Sequence, residues 1–175
     1  MKKNLIIIIS IILLILLILL IVKSDFEEKP FKNVVLSENN QIINRTNINY
    51  YDTILNVGLD ELKIEGISVV VIEMTENMRR QFNGELKAHV RFHENVYYLF
   101  IGNENRSNSI DIISHEIIHI NQYHTNQIVF DGIDIVTWEG QPFGKNDIEY
   151  ELRPWEIDAF KKQNELSARI NNILY

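Results

Sequence analysis

Two of the five histidines in this chain, His115 and His119, stand four residues apart, with Glu116 directly after the first. On an α-helix that spacing puts both imidazoles on one face, about one turn apart, close enough to share a metal ion. Glu116 borders the same cleft, where its carboxylate can take a proton from a water held by that metal. The pattern is H-E-x-x-H, and the chemistry it points to is metal-assisted hydrolysis. The bland alternative is an amphipathic core helix that happens to carry two surface histidines.

The neighbouring residues must supply the helix. Ile110, Ile113, Ile117 and Ile120 recur at spacings of three and four, an apolar stripe beside the histidines. Asn108 or Ser109 suits the cap position, and Asp111 puts an acid in the first turn, where the helix dipole favours it. The spacing predicts a helix from about Ser109 to His124.

Two histidines do not make a catalytic metal site, which takes three protein ligands and leaves one position open. Four further residues are candidates for the third ligand: His124, Glu139, Glu151 and Glu156. His124 lies five residues after His119. The extended pattern H-E-x-x-H-x-x-G-x-x-H needs a histidine where this chain has Thr125 and a glycine where it has Gln122, so that arrangement fails. Glu139 sits at an expected strand end beside Gly140, Glu151 precedes the last helix, and Glu156 falls in that helix's first turn.

The remaining elements must hold these groups in place. Tyr50, Tyr51, Ile54, Leu55 and Leu59 predict a helix that ends near Gly58, and Ile67–Ile72 reads as a buried strand. Residues 74–82 read as a polar excursion closed by the turn pair Asn83-Gly84. Leu86–Phe92 and Val96–Ile101 come next as strands around His93-Glu94-Asn95. After the histidine helix, Ile128–Phe130 and Ile133–Trp138 flank Asp131-Gly132 as a hairpin, and Gly140, Pro142 and Gly144 are expected to break regular structure. A last helix starts at Pro154, well placed in a first turn, with Trp155, Ile157, Ala159 and Phe160 expected to seat it on the core. The fold class is α+β.

Composition narrows the partners. From Ser24 onward the chain carries 14 Lys+Arg against 24 Asp+Glu, a net charge of −10, which excludes nucleic acid as a partner. There is no cysteine, so any metal must be held by histidine and carboxylate. Leu5–Val22 is a nearly unbroken apolar run of 18 residues, about 27 Å as a helix and close to the thickness of a bilayer core. No small-residue cleavage site succeeds it. Residues 1–23 therefore read as an uncleaved membrane anchor, 24–47 as a polar tether and 48–175 as one domain. Lys2 and Lys3 before the span favour export of the chain beyond it.

Two blocks carry a family resemblance. Ser114-His115-Glu116-Ile117-Ile118-His119-Ile120-Asn121-Gln122-Tyr123, together with Tyr150-Glu151-Leu152-Arg153-Pro154-Trp155-Glu156-Ile157-Asp158-Ala159-Phe160, resembles the small gluzincin-type zinc metallopeptidases. There the third ligand is a Glu on a downstream helix, commonly within E-x-x-A. The thermolysin-like pattern has Asn before that Glu and Asp four after it; this chain has Trp155 and Phe160. The resemblance implies a compact zincin-like domain, a small sheet packed on the H-E-x-x-H helix with the C-terminal helix bringing the third ligand. It implies Zn2+ on His115, His119 and Glu156, Glu116 as general base, and a peptide or protein substrate. It also implies an oxyanion donor beyond the metal, for which Tyr150, Tyr123, Arg153 and His124 are within reach, and an extended substrate pairing along Val96–Ile101 as a sheet edge. The rival readings are a membrane-tethered zinc-binding or interaction module without turnover, and a tethered binding protein with a chance motif.

Overall fold

A computed structural model describes residues 31–32, 36, 38–81, 87–102, 106–131, 135–144 and 147–175. The expected anchor, the first part of the expected tether and the turn pair at 83–84 lie outside these residues. Among the described residues no helix is long and apolar enough to cross a membrane.

The chain is mixed α+β. In order it forms β1 (Gln41–Asn44), α1 (Tyr50–Glu61), β2 (Ser68–Glu73), α2 (Glu76–Gln81), β3 (Ala88–His93) and β4 (Val96–Ile101). Then come α3 (Arg106–His124), β5 (Ile128–Phe130), β6 (Ile135–Trp138), β7 (Gln141–Gly144), a 3₁₀ turn (Tyr150–Leu152) and α4 (Pro154–Leu174). The main sheet has the order β1-β2-β4-β3; β1, β2 and β4 run parallel and β3 is antiparallel to β4. β5, β6 and β7 form a separate antiparallel sheet.

Several expectations from the sequence need correction. Val96–Ile101 is not a sheet edge, because β2 and β3 flank it; the edge beside the histidine helix is β3. Gln141–Gly144 forms a strand despite Pro142, since β7 pairs with β6 alone and an edge tolerates a residue with no N–H. Ile157 and Phe160 are 52% and 47% exposed, so Trp155 and Ala159 seat the first turns of α4 without them. Gln41–Asn44, expected as the end of the tether, pairs with β2 as an edge strand. The polar excursion after β2 contains the short helix α2.

Apolar periodicity holds the rest together. Ile110, Ile113, Ile117 and Ile120 are fully buried along α3, each worth about 1.5–3 kcal/mol relative to exposure. That stripe faces α1, where Gly58 lets the helices close in. A Cβ at Gly58 would lie 2.4 Å from Cδ1 of Ile117 and 3.0 Å from Cδ1 of Ile170, so α1, α3 and α4 converge on a position that has room only for hydrogen. With its isoleucines locked inward, α3 must turn His115 and His119 to the side facing α4, its most extensive neighbour. At the other end of α4, the Lys32 N–H donates to the Leu174 carbonyl (2.7 Å) and the Lys32 ammonium to the Asn172 carbonyl (3.3 Å). These bonds satisfy carbonyls that a helix C-terminus otherwise leaves unpaired.

Candidate metal centre

α3 and α4 bring three donors to one point. His115 Nε2 and His119 Nε2 are 3.1 Å apart, and Glu156 Oε2 lies 3.2 Å from each. All three side chains are buried and their ligating atoms fall within 4.8 Å of one another. Glu156 reaches this point from the first turn of α4, where a carboxylate also complements the helix dipole. Phe160, one turn further on, lays its ring against His115 at 4.6 Å between centroids.

Each histidine is held from behind. His119 Nδ1 is 2.7 Å from Gln122 Oε1, and His115 Nδ1 is 3.0 Å from Gln163 Oε1. With both Nδ1–H groups donating to amide oxygens, neutral rings point their Nε2 lone pairs at each other and at a carboxylate. Three acceptors converging in a buried space require a cation between them, either a proton or a metal.

The electrostatics reflect that convergence. Burial alone would favour the neutral ring of His119. The hydrogen bond and charge of Glu156, the charge of Glu116 and the bond to Gln122 outweigh it and raise the pKa to about 9. Burial likewise disfavours the Glu156 carboxylate, but its bonds with His115 and His119, the His119 charge and the bond from the Tyr150 hydroxyl push its pKa well below the carboxylate range. Glu116 goes the other way. It is 5% exposed, and burial raises its pKa despite the opposing histidines and the bond from the Val90 N–H of β3. Its Oε2 has no hydrogen-bond partner among the described residues.

This arrangement fits a metal ion. Two donors each about 2.0–2.1 Å from one zinc at tetrahedral angles are about 3.3 Å apart, close to the observed separations. An imidazole–imidazole–carboxylate set suits divalent first-row metals in general. Metal binding must displace the proton that His119 carries below pH about 9. Apparent affinity is therefore expected to fall as pH falls, by about tenfold per unit for that one proton. Competition against a chelator at pH 6, 7 and 8 measures it; a flat profile would mean that no ligand gives up a proton in that range.

A cleft of about 400 Å³ opens beside His115 and Glu116, walled by Lys87 and Ala88 at the start of β3, Ile112, Tyr150 and Phe160. Tyr150 hydrogen-bonds Glu156; burial, then the Glu156 charge and that bond, hold its hydroxyl protonated far above the ordinary phenol range. The other candidates for the third ligand fall elsewhere. His124 and Glu151 are exposed, and Glu139 is exposed in a turn with its Oε1 accepting from Gln127. Tyr123 packs against the Ile128–Val136–Trp155 cluster yet stays beside the centre, where burial and then the Glu156 and Glu116 charges raise its pKa; Arg153 bonds the Ile148 carbonyl and covers the Tyr150 ring. Gln122 and Gln163 belong to the site although sequence reasoning does not single them out, and Asp158, a lesser candidate for the third ligand from the sequence, accepts from Gln122 instead of joining the three donors. Helical spacing is the signal that marks the two glutamines: Gln122 is three after His119, and Gln163 is seven after Glu156. No family model, no curated protein and no solved structure matches the chain.

Proposed function

We propose that this chain is a zinc metallopeptidase, anchored in a membrane by residues 5–22, with its domain outside the cytoplasm. The observation that carries the reading is the buried His115–His119–Glu156 cluster with the unpartnered carboxylate oxygen of Glu116 among the same charges. Three protein ligands with one position left open are the arrangement of catalytic rather than structural zinc.

When bound, zinc supplies a Lewis acid and a water acidified to a pKa of about 7. The chain's own residues do the rest. Glu116 acts as general base at its free Oε2; burial makes it a stronger proton acceptor than a free carboxylate, and the proton then passes to the leaving amine. Val90 fixes the Glu116 carboxylate through its N–H, which ties the base to β3. As an edge strand, β3 offers backbone groups to an extended peptide running past the cleft. Tyr150, at the cleft wall, has its hydroxyl pKa raised and is the donor for the developing oxyanion when its O–H turns from Glu156 into the cleft.

The test is to incubate the full chain with a mixed peptide library, with and without chelator. Cleavage that chelator abolishes and zinc restores supports the peptidase. A chain that holds zinc and cleaves nothing is a metal-binding module without turnover. The anchor has its own measurement. N-terminal sequencing of the mature protein is expected to begin before Leu5, and a chain starting after Val22 would be secreted instead.

A further inference from the structure

The glutamine behind His119 can be oriented from its surroundings. One end of its amide lies 3.0 Å from the Trp155 carbonyl oxygen and 2.9 Å from Asp158 Oδ2. Both neighbours only accept, so that end is the NH₂ group, and the end 2.7 Å from His119 Nδ1 is the carbonyl oxygen. The hydrogen of a neutral His119 ring must then sit on Nδ1, and its lone pair on Nε2. Asp158 is itself held by the Lys162 ammonium at 2.8 Å, one turn along α4. Gln122 is fully buried, so no solvent can replace its own contacts, while Asp158 and Lys162 at the far end are partly exposed. Gln163, half-buried on α4, plays the same part for His115 at 3.0 Å.

We propose that Gln122 and Gln163 are the positioning residues of the metal centre, selecting Nε2 of both histidines as the ligating atoms, and that Asp158 acts through Gln122 by fixing its amide. The inference rests on reading the cluster as a metal site. A carboxamide orients an imidazole without placing a negative charge behind it. The charge around the metal is thus left to Glu156 and Glu116.

The experiment measures zinc affinity of the full chain by competition with a chromophoric chelator. Gln122→Leu and Gln163→Leu are each expected to raise Kd by about 10- to 100-fold, the usual cost of losing a partner behind a metal-bound histidine. Asp158→Ala should raise it less. The double variant Gln122→Leu/Asp158→Ala should match Gln122→Leu alone, because Asp158 has nothing left to orient. A general loss of packing would add instead. Gln163→Leu carries the test if the buried Gln122 variant does not fold. Ring ¹⁵N spectra of the zinc-loaded wild type should place zinc on Nε2 and hydrogen on Nδ1 of both histidines. Zinc-binding wild type with both leucine variants within twofold of it, or with zinc on Nδ1, overturns the inference alone. Wild type that binds no zinc overturns the metal reading and this inference with it.

Discussion

Glu116→Gln is expected to keep one zinc per chain while peptide hydrolysis falls by about 10²- to 10⁴-fold, the range that a positioned general base contributes. The substitution is nearly isosteric, and the new carbonyl oxygen can still accept from the Val90 N–H that holds the carboxylate. Glu116 is not one of the three converging donors, so the metal keeps its ligands. What disappears is the oxygen that can take up a proton. Burial sharpens the effect, since among the described residues no other group bonds to Glu116 Oε2 and could stand in for it. Metal content and turnover measured on the same preparation decide the matter. Unchanged hydrolysis would rule out the mechanism; loss of the metal would make Glu116 a ligand.

The second large effect concerns Glu156. Glu156→Ala should lose zinc, whereas Glu151→Ala and Glu139→Ala should retain it. Glu156 Oε2 completes a triangle with two imidazole nitrogens at 3.2 Å, and its removal leaves two neutral donors where a catalytic site needs three. The loss should exceed the 10- to 100-fold typical of a supporting partner. Glu151 lies exposed in the 3₁₀ turn and Glu139 in the turn between β6 and β7, so neither stands ready to substitute. Zinc analysis of the three variants side by side is the check. A Glu156→Ala chain with full zinc content would remove Glu156 from the centre.

How far the sequence can be read depends on the kind of signal. Where side chains repeat with the helix period, as in the isoleucines of α3 and the stretch from Pro154, the elements and the facing of the histidines are legible. The third donor is legible only as a choice among four residues, because the crossing of α3 and α4 is a tertiary fact. Strand order is not legible. Val96–Ile101 is a nearly continuous run of apolar and aromatic residues, and such a run does not say that β2 and β3 are the strands that pair on either side of it. α2 has no apolar stripe to announce it, and its Glu76–Arg80 ion pair is an exposed surface contact. Ile157 and Phe160 look like core residues by type. They are half exposed because the buried face of α4's first turns belongs to Trp155, Glu156 and Ala159. A carboxylate there displaces apolar side chains from the inside of the helix.

The cap that Lys32 places on α4 has a mechanical consequence. Lys32 meets the end of the helix opposite Glu156, 18 residues or about 27 Å away. Any pull transmitted through the Lys32 bonds loads α4 at its far end, a helix length from the three converging donors. A helix is stiff along its axis because its hydrogen bonds lie parallel to it, and α4 is braced sideways by α1 and α3. The donor triangle is therefore set apart from strain that enters at Leu174, and the helix that supplies the third donor also serves as a strut.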